Sequence, residues 1–351
     1  MSTIKAAILG LNEDGRLLLE AASKIDYFQI EALADKDAGL AEQLAEQYKC
    51  TAFDDYRQLI IEMDSRLRGN DKRCLLVGAD MYTCDEYVRM AMKKKFNVLK
   101  PAPAARTFEE AAEFVRLADE QGINFAVACP RRFAGSYLAL RKFLEEGRLE
   151  QVFLIAAFCS FAGRPVPSWR TDPKLAGGGV LLHDCYEMID QMMWNFPLPQ
   201  QVYSLNTNQA ADKQQRSYLT EDTAVLAMKF SDTLVGNLVA SGRDTVWPRH
   251  EFIKVCGKDS MVVVNDTRMT VRDIEGKVTE ELEFDYEPVD CMAEALKSFA
   301  GSVLSPEEEE LFCSGRENLK NMAVIESAYL SARTAMPEDP GRILQMGEGR
   351  I

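Results

Sequence analysis

The chain has 351 residues, 47% of them hydrophobic and 27% charged, with a formal net charge of −14. That length suits two domains of ordinary size better than one core, and the acidic balance argues against nucleic acid or an anionic membrane surface as partner, since both need basic patches. No apolar run approaches the roughly eighteen residues of a membrane span and the first residues lack the layout of a signal peptide, so a cytoplasmic protein with a small polar ligand is expected.

Up to about residue 126, apolar strands alternate with stretches of helical period. Strands are expected at 4–9, 30–34, 74–78, 96–99 and 123–128, with helices such as Ala38 to Tyr48, Glu86 to Lys95 and Phe108 to Gln121 between them. That alternation makes a parallel, doubly wound sheet. The charged, turn-rich run from Asp64 to Arg73 is expected as a surface loop. Beyond residue 126 the strands lengthen: Val152 to Cys159, Val202 to Thr207, Thr223 to Phe230, Leu234 to Ser241, Glu251 to Cys256, Met261 to Asn265, Arg268 to Asp273 and Val278 to Phe284. They suggest a large, mostly antiparallel open sheet with helices on one face. Two helices, about Cys291 to Val303 and Glu317 to Thr334, close the chain, and a Pro/Gly-rich tail from Pro337 is expected to be irregular. The nine cysteines are scattered without a Cys-x-x-Cys pair, which signals neither a disulfide framework nor a metal site.

The first strand runs into Gly10-Leu11-Asn12-Glu13-Asp14-Gly15 and then a helix-like stretch from Arg16 to Ser23. This is a dinucleotide-binding turn with its middle glycine replaced. The second strand ends in Asp35, twenty residues after Gly15, where a carboxylate can accept from the adenosine ribose hydroxyls and repel a 2′-phosphate, favouring NAD over NADP. Asn12 puts a side chain where backbone would approach the pyrophosphate, although asparagine tolerates left-handed geometry. Glu13 and Asp14 compensate the positive pole of the helix that would otherwise attract phosphate. Gly10, Asn12, Gly15, Asp35 and Ala79, at the end of the third strand beside Asp80, are the expected cofactor contacts.

The run Gly177-Gly178-Gly179-Val180-Leu181-Leu182-His183-Asp184-Cys185-Tyr186-Glu187-Met188-Ile189-Asp190 resembles the signature helix of the glucose-fructose oxidoreductase / inositol dehydrogenase / rhizopine-catabolism (Gfo/Idh/MocA) family. In that family a glycine triplet leads into Asp, then His, then Asp; these places hold His183, Glu187 and Asp190. Val98-Leu99-Lys100-Pro101 with Thr107 to Glu110, Arg131-Arg132-Phe133, Ser168-Trp169-Arg170 and Glu221-Asp222-Thr223 recur in family order. The resemblance implies an α/β protein with an N-terminal Rossmann dinucleotide-binding domain, residues 1–126. A C-terminal α/β domain, residues 127–351, would bind substrate and support a homodimer or homotetramer. It also implies an NAD-dependent oxidoreductase of a sugar, cyclitol or related polyol.

In the family a lysine, an aspartate and a histidine surround the substrate carbinol, because hydride loss must be coupled to removal of the hydroxyl proton. Aligned without gaps, the family lysine falls on Ala102; a two-residue deletion would place Lys100 there instead. Lys100 is a candidate either way, since residues two apart on a strand share a face roughly 6–7 Å apart. His183 and Glu187, four residues apart, would share one helix face. Two alternatives stand: a transposed dyad in which Glu187 fixes the tautomer of His183, or an ordinary i,i+4 contact. Tyr186 and Asp190 are candidates for hydrogen-bonding a polyol, with a structural pairing role for Asp190 as the alternative. Trp169 and Arg170 are candidates for the substrate and cofactor ends respectively, or for packing and an ion pair. Two functions follow: an oxidoreductase with displaced catalytic residues Lys100, His183 and Glu187, or a catalytically silent relative that serves as a ligand-binding or assembly module.

Overall fold

The structure, a computed structural model, describes residues 3–66, 72–162, 167–208, 220–244 and 250–348. The chain divides into two compact units. The first comprises Met1–Ala105, Glu109–Pro130 and Glu287–Asn318, and the second Arg106–Phe108, Arg131–Tyr286 and Leu319–Ile351. The segment Glu287–Asn318 therefore belongs with the first unit, whereas the sequence placed everything after residue 126 in the second. Its apolar face explains the return: Leu296, Phe299 and Val303 join Ile8, Leu18, Leu76 and Leu99 in one buried cluster.

The first unit alternates β1 (Ile4–Leu9), α1 (Glu13–Ser23), β2 (Phe28–Ala34), α2 (Ala38–Tyr48), β3 (Thr51–Phe53), α3 (Tyr56–Arg66), β4 (Arg73–Val77), α4 (Met81–Lys93), β5 (Asn97–Pro101), α5 (Phe108–Gln121) and β6 (Phe125–Ala128). The six strands are parallel, in the order β3-β2-β1-β4-β5-β6. Strands covered on both faces need near-continuous apolar runs, and β6 is buried throughout. The three-residue β3 escaped the sequence because it is too short to show a period. Strand order reverses between β1 and β4, the switch point at which such sheets bind ligands beyond their carboxyl ends. The expected loop from Asp64 to Arg73 is corrected at both ends. Asp64, Ser65 and Arg66 finish α3, Arg73 opens β4, and Asp64 bonds Arg73 at 2.8 Å; residues 67–71 lie outside the described residues.

The second unit holds α6 (Gly135–Glu145), β7 (Leu154–Ala162), α7 (Pro173–Ala176), α8 (Val180–His183), α9 (Tyr186–Asn195), β8 (Gln201–Thr207), β9 (Thr223–Lys229), β10 (Val235–Asp244), β11 (His250–Cys256), β12 (Ser260–Asn265), β13 (Arg268–Asp273) and β14 (Val278–Glu283). Its eight strands run β14-β13-β12-β11-β7-β10-β9-β8. Every pairing is antiparallel except β7 with β10. One sheet face is covered, with α6 against β12 and β13 and α8 against β9 and β10. The other keeps Tyr203, Leu205, Val225 and Val235 exposed.

After β14 come α10 (Pro288–Leu304), α11 (Gly315–Thr334) and α12 (Pro340–Glu348). The last corrects the expectation of an irregular tail. Proline is well suited to the first helical position, where its missing N–H is no loss, and Asp339 accepts from the Gly341 amide at 2.8 Å. Among the described residues no helix is long and apolar enough to cross a membrane.

Candidate active site

The turn after β1 is built by close approach of backbone. Gly10 has φ +87°, and a Cβ there would lie 2.4 Å from the Ala79 backbone. A Cβ on Gly15 would meet the Gly10 carbonyl oxygen at 2.0 Å, and one on Gly78 the Gly15 Cα at 2.1 Å. Asn12, at the missing glycine, caps α1. Its backbone is extended, its Oδ1 accepts from the Gly15 amide at 3.0 Å, and its Nδ2 donates to Asp80 at 3.1 Å. Left-handed geometry is thus not what asparagine supplies here; it supplies a cap.

Asp35 sits at the end of β2. Its Oδ2 accepts from the Leu11 amide at 2.6 Å and its Oδ1 from the Asp37 amide at 2.9 Å. A carboxylate has about four acceptor sites, so ribose hydroxyls can still be served. Asn12, Asp35, Tyr56, Ala79, Asp80 and Tyr82 are among the residues lining a cavity of 320 Å³ at this switch point. This glycine cradle and its carboxylate fit the nucleotide of a dinucleotide. Glu13 and Asp14 in the first turn of α1 offset the positive pole of the helix. Surrounding protein, then the charges of Glu13 and Asp80, push the solvent-accessible Asp14 carboxyl up to about 6.

At the far end of β5, Lys100 is only 4% exposed, and its Nζ has no hydrogen-bond partner among the described residues. Lys100 pairs with Val127 in β6, and Ala102, the ungapped family position, comes just after the strand ends at Pro101, its amide bonded to the Ala128 carbonyl at 3.1 Å. A buried polar group without a partner is costly, which keeps Lys100 among the candidates for contact with a ligand.

In the second unit, the sequence expectation of one continuous helix through positions 183 and 187 is corrected. Helix α8 is a single turn ending at His183, and α9 starts at Tyr186. The Cys185 amide bonds back to Val180 at 2.9 Å, closing α8 off. His183 Nε2 lies 3.0 Å from the Ala176 carbonyl oxygen. That oxygen can only accept, so Nε2 carries hydrogen and Nδ1 is the basic nitrogen of the neutral ring. Trp169 meets the imidazole edge-on at 5.5 Å between centroids. Glu187 turns away to accept from the Arg131 amide at 3.1 Å. Burial raises its carboxyl against the opposing pull of Arg131. The tautomer-fixing role expected of Glu187 thus falls to a backbone carbonyl.

The remaining candidates separate. Arg170 pairs with Asp184 at 2.7 Å, both partly exposed. Tyr186 is buried at the start of α9. Asp190 is fully buried, with Oδ2 accepting from Arg132 Nε at 2.7 Å and Oδ1 from Arg132 at 2.6 Å and Asn321 at 2.8 Å. Those contacts answer to the pairing alternative rather than to a polyol. Arg131 is likewise buried against Glu251.

Residues 4–129 match the oxidoreductase family's NAD-binding Rossmann fold, and residues 141–338 its C-terminal alpha/beta domain. The chain belongs to the Gfo/Idh/MocA oxidoreductase family. A 2,7-anhydro-N-acetylneuraminate hydratase of Mediterraneibacter gnavus is 24% identical over 272 residues, 76% of this chain and 68% of that protein. An uncharacterized oxidoreductase of Schizosaccharomyces pombe is 27% identical over 222 residues, 61% of this chain, and the match spans only 57% of that relative's length. The solved structure of an inositol dehydrogenase homologue from Azotobacter vinelandii, complexed with NAD+, superposes with a TM-score of 0.84. It shares 16% identity and covers 96% of this chain and 97% of its own.

The Gfo/Idh/MocA glycine triplet has three separate steric reasons in this chain. A Cβ on Gly177, whose φ is +74°, would meet the Arg106 carbonyl oxygen at 2.3 Å; on Gly178, the Tyr329 hydroxyl at 2.2 Å; on Gly179, the Glu221 carbonyl oxygen at 2.0 Å. Asp184, Glu221 and Tyr329 were given no role from the sequence. The Glu-Asp-Thr motif did flag Glu221, but nothing in its spacing tells that the carboxylate caps a helix some forty residues earlier.

Proposed function

We propose that this family member is an NAD(H)-dependent oxidoreductase of a sugar, cyclitol or related hydroxy compound, in which Lys100 and His183 replace the amine and imidazole of the family's usual positions. The observation that supports it most is the buried Lys100 Nζ, which has no hydrogen-bond partner among the described residues and lies two residues before the family lysine position. A structural lysine would carry an ion pair or reach solvent.

NAD, when bound, accepts or returns the hydride. Gly10, Gly15 and Gly78 let the protein backbone close into the turn that would meet the pyrophosphate, and Asp35 would take the ribose hydroxyls. Lys100 handles the hydroxyl proton or holds the oxygen through Nζ. His183 takes or gives a proton through Nδ1, its ring fixed by the Ala176 carbonyl and the edge of Trp169. Arg170, partly exposed and paired with Asp184, offers a cation to an anionic part of cofactor or substrate. A polyol or sugar fits the relatives: one acts on an anhydro-sugar acid, and another is complexed with levoglucosan and NADH. Assembly through the open face of the second sheet, where Tyr203, Leu205, Val225 and Val235 are exposed, accounts for that apolar surface and gives a homodimer or homotetramer.

The catalytically silent alternative draws support from Glu13, Asp14 and Asp80 around the pyrophosphate turn. Titration with NADH and NADPH by calorimetry, after mass spectrometry for carried-over nucleotide, separates the two. NADH binding followed by turnover in a polyol screen is expected, with Lys100→Met and His183→Ala each lowering turnover about 100-fold or more while NADH still binds. No binding of either nucleotide at millimolar concentration would sink the oxidoreductase.

A further inference from the structure

Helix α8 is one turn long, too short to hold itself together, yet it carries His183. Its N-terminal amides converge on a single residue. Glu221 Oε2 accepts from Gly179 at 3.0 Å, Oε1 accepts from Leu181 at 2.8 Å, and the Glu221 backbone oxygen accepts from Val180 at 2.8 Å. Tyr329, buried on α11, donates its hydroxyl to Oε1 at 3.1 Å and receives the Gly179 amide at 3.2 Å. The glycines at 178 and 179 are the clearance that lets Tyr329 and Glu221 come this close. An uncharged residue or a side-chain cap on α8 itself would satisfy the same amides more cheaply, because burying a carboxyl from water is expensive.

We propose that Glu221, backed by Tyr329, is the positioning residue of the active site: it seats the turn that presents His183, so that its charge state is transmitted to the imidazole. This rests on the assignment of His183 as the proton carrier. Among the described residues, the ionisable groups nearest in chain or on the elements bonded to Glu221 are Asp222 beside it, His183 and Asp184 at the end of α8, and Tyr329 and Glu326 on α11. Burial holds the Glu221 carboxyl up at about 8 against the pull of the Leu181 amide, its own amide, the Tyr329 hydroxyl and the Gly179 amide, so the seat titrates in an accessible range. Above that point the amides of Gly179 and Leu181 face a full negative charge and α8 is drawn onto it. Below it, one carboxyl oxygen carries hydrogen and the grip slackens.

The chain has only two histidines, His183 and His250, so selective 13C/15N-histidine labelling gives a two-residue spectrum that His250→Gln assigns. In the wild-type protein the His183 signals should show an inflection near pH 8 that His250, out on β11, does not share. Glu221→Gln should abolish that inflection. Tyr329→Phe, which removes a donor favouring the charged form, should move it to higher pH. Superimposable His183 profiles in wild type and folded Glu221→Gln would overturn the proposal. If Glu221→Gln does not fold, an unmoved inflection in Tyr329→Phe overturns it instead. The outcome is independent of turnover: a silent protein with the inflection would refute the oxidoreductase and leave the seat standing, and an active one without it would do the reverse.

Discussion

The Leu11 amide donates to Asp35 Oδ2 at 2.6 Å, tying the turn after β1 to the end of β2. The carboxylate that is to hold the ribose is therefore also part of the turn. Asp35→Ala should weaken NADH binding by about 10- to 100-fold, the range for a hydrogen bond to a charged group. Asp35→Asn should recover part of the loss, because the amide oxygen can still accept from Leu11. Calorimetry on the three proteins checks this, and equal affinities would remove Asp35 from the cofactor site.

Asp190 and Arg132 form a two-bond pair that is almost wholly buried. Removing one partner strands a buried charge, which costs roughly 3–5 kcal/mol. Asp190→Ala and Arg132→Ala should each lower the urea unfolding free energy by about that much, with the double variant less affected than the sum of the two. An Asp190→Asn protein of wild-type stability that had lost substrate affinity alone would restore Asp190 to the polyol site.

The glycine triplet makes a graded prediction. At Gly179 the added Cβ would strike the Glu221 backbone, which cannot give way, whereas at Gly178 it would strike the tip of the Tyr329 side chain. Gly179→Ala should therefore destabilise more than Gly178→Ala. Tyr329→Phe, by removing the obstructing oxygen, should partly rescue Gly178→Ala and leave Gly179→Ala unimproved. Chemical denaturation of the five proteins tests the order, and a rescue of both glycines alike would contradict it.

Strand and helix alternation was legible because each element of a parallel sheet needs its own apolar period, and eight long strands declared the second sheet by their alternation. The ownership of α10 was not, because a helix displays an apolar face without displaying its partner. The candidate site was legible as a set of substitutions: Asn12, Asp80, Ala102, His183 and Glu187 all stand where the family has something else. What those residues do was not. The spacing of His183 and Glu187 assumed an unbroken helix, and the break at Asp184 and Cys185 comes where both amides bond back to Val180 and close α8 after one turn, which spacing alone does not announce. Asp190 stayed open between polyol contact and structural pairing because nothing local announces that Arg132 is its partner.

Glu221 also makes stability depend on pH. Its carboxyl is held at about 8 against an ordinary value of 4.5. Between those values the folded chain keeps a proton that the unfolded chain has released. Folding is therefore favoured most at or below the ordinary value and loses stability as pH rises toward 8, at roughly 1.4 kcal/mol per unit. Glu221→Gln, which cannot ionise, should show a flatter stability profile than wild type between pH 5 and 8 in urea titrations. Parallel profiles would mean that the carboxyl ionises with an ordinary value in the fold.

The first turn of α1 gives the opposite handle, on cofactor rather than on folding. Glu13 and Asp14 stand at a helix N-terminus, and Asp14 is held at about 6 by its surroundings and by Glu13 and Asp80. A pyrophosphate placed there favours the protonated form of Asp14, so binding takes up a proton and NAD+ affinity should rise as pH falls from about 7.5 toward 5.5. Two charges a few ångströms apart in water are worth about 1 kcal/mol, a factor of about five in affinity. Asp14→Asn should bind NAD+ about fivefold more tightly than wild type at pH 7.5 and lose most of the pH dependence. Glu13→Gln should tighten binding by less and keep the dependence, since Asp14 still titrates. Calorimetric titrations of the three proteins at both pH values decide it: an Asp14→Asn protein that matches wild type at each pH would show that the pyrophosphate does not approach this turn.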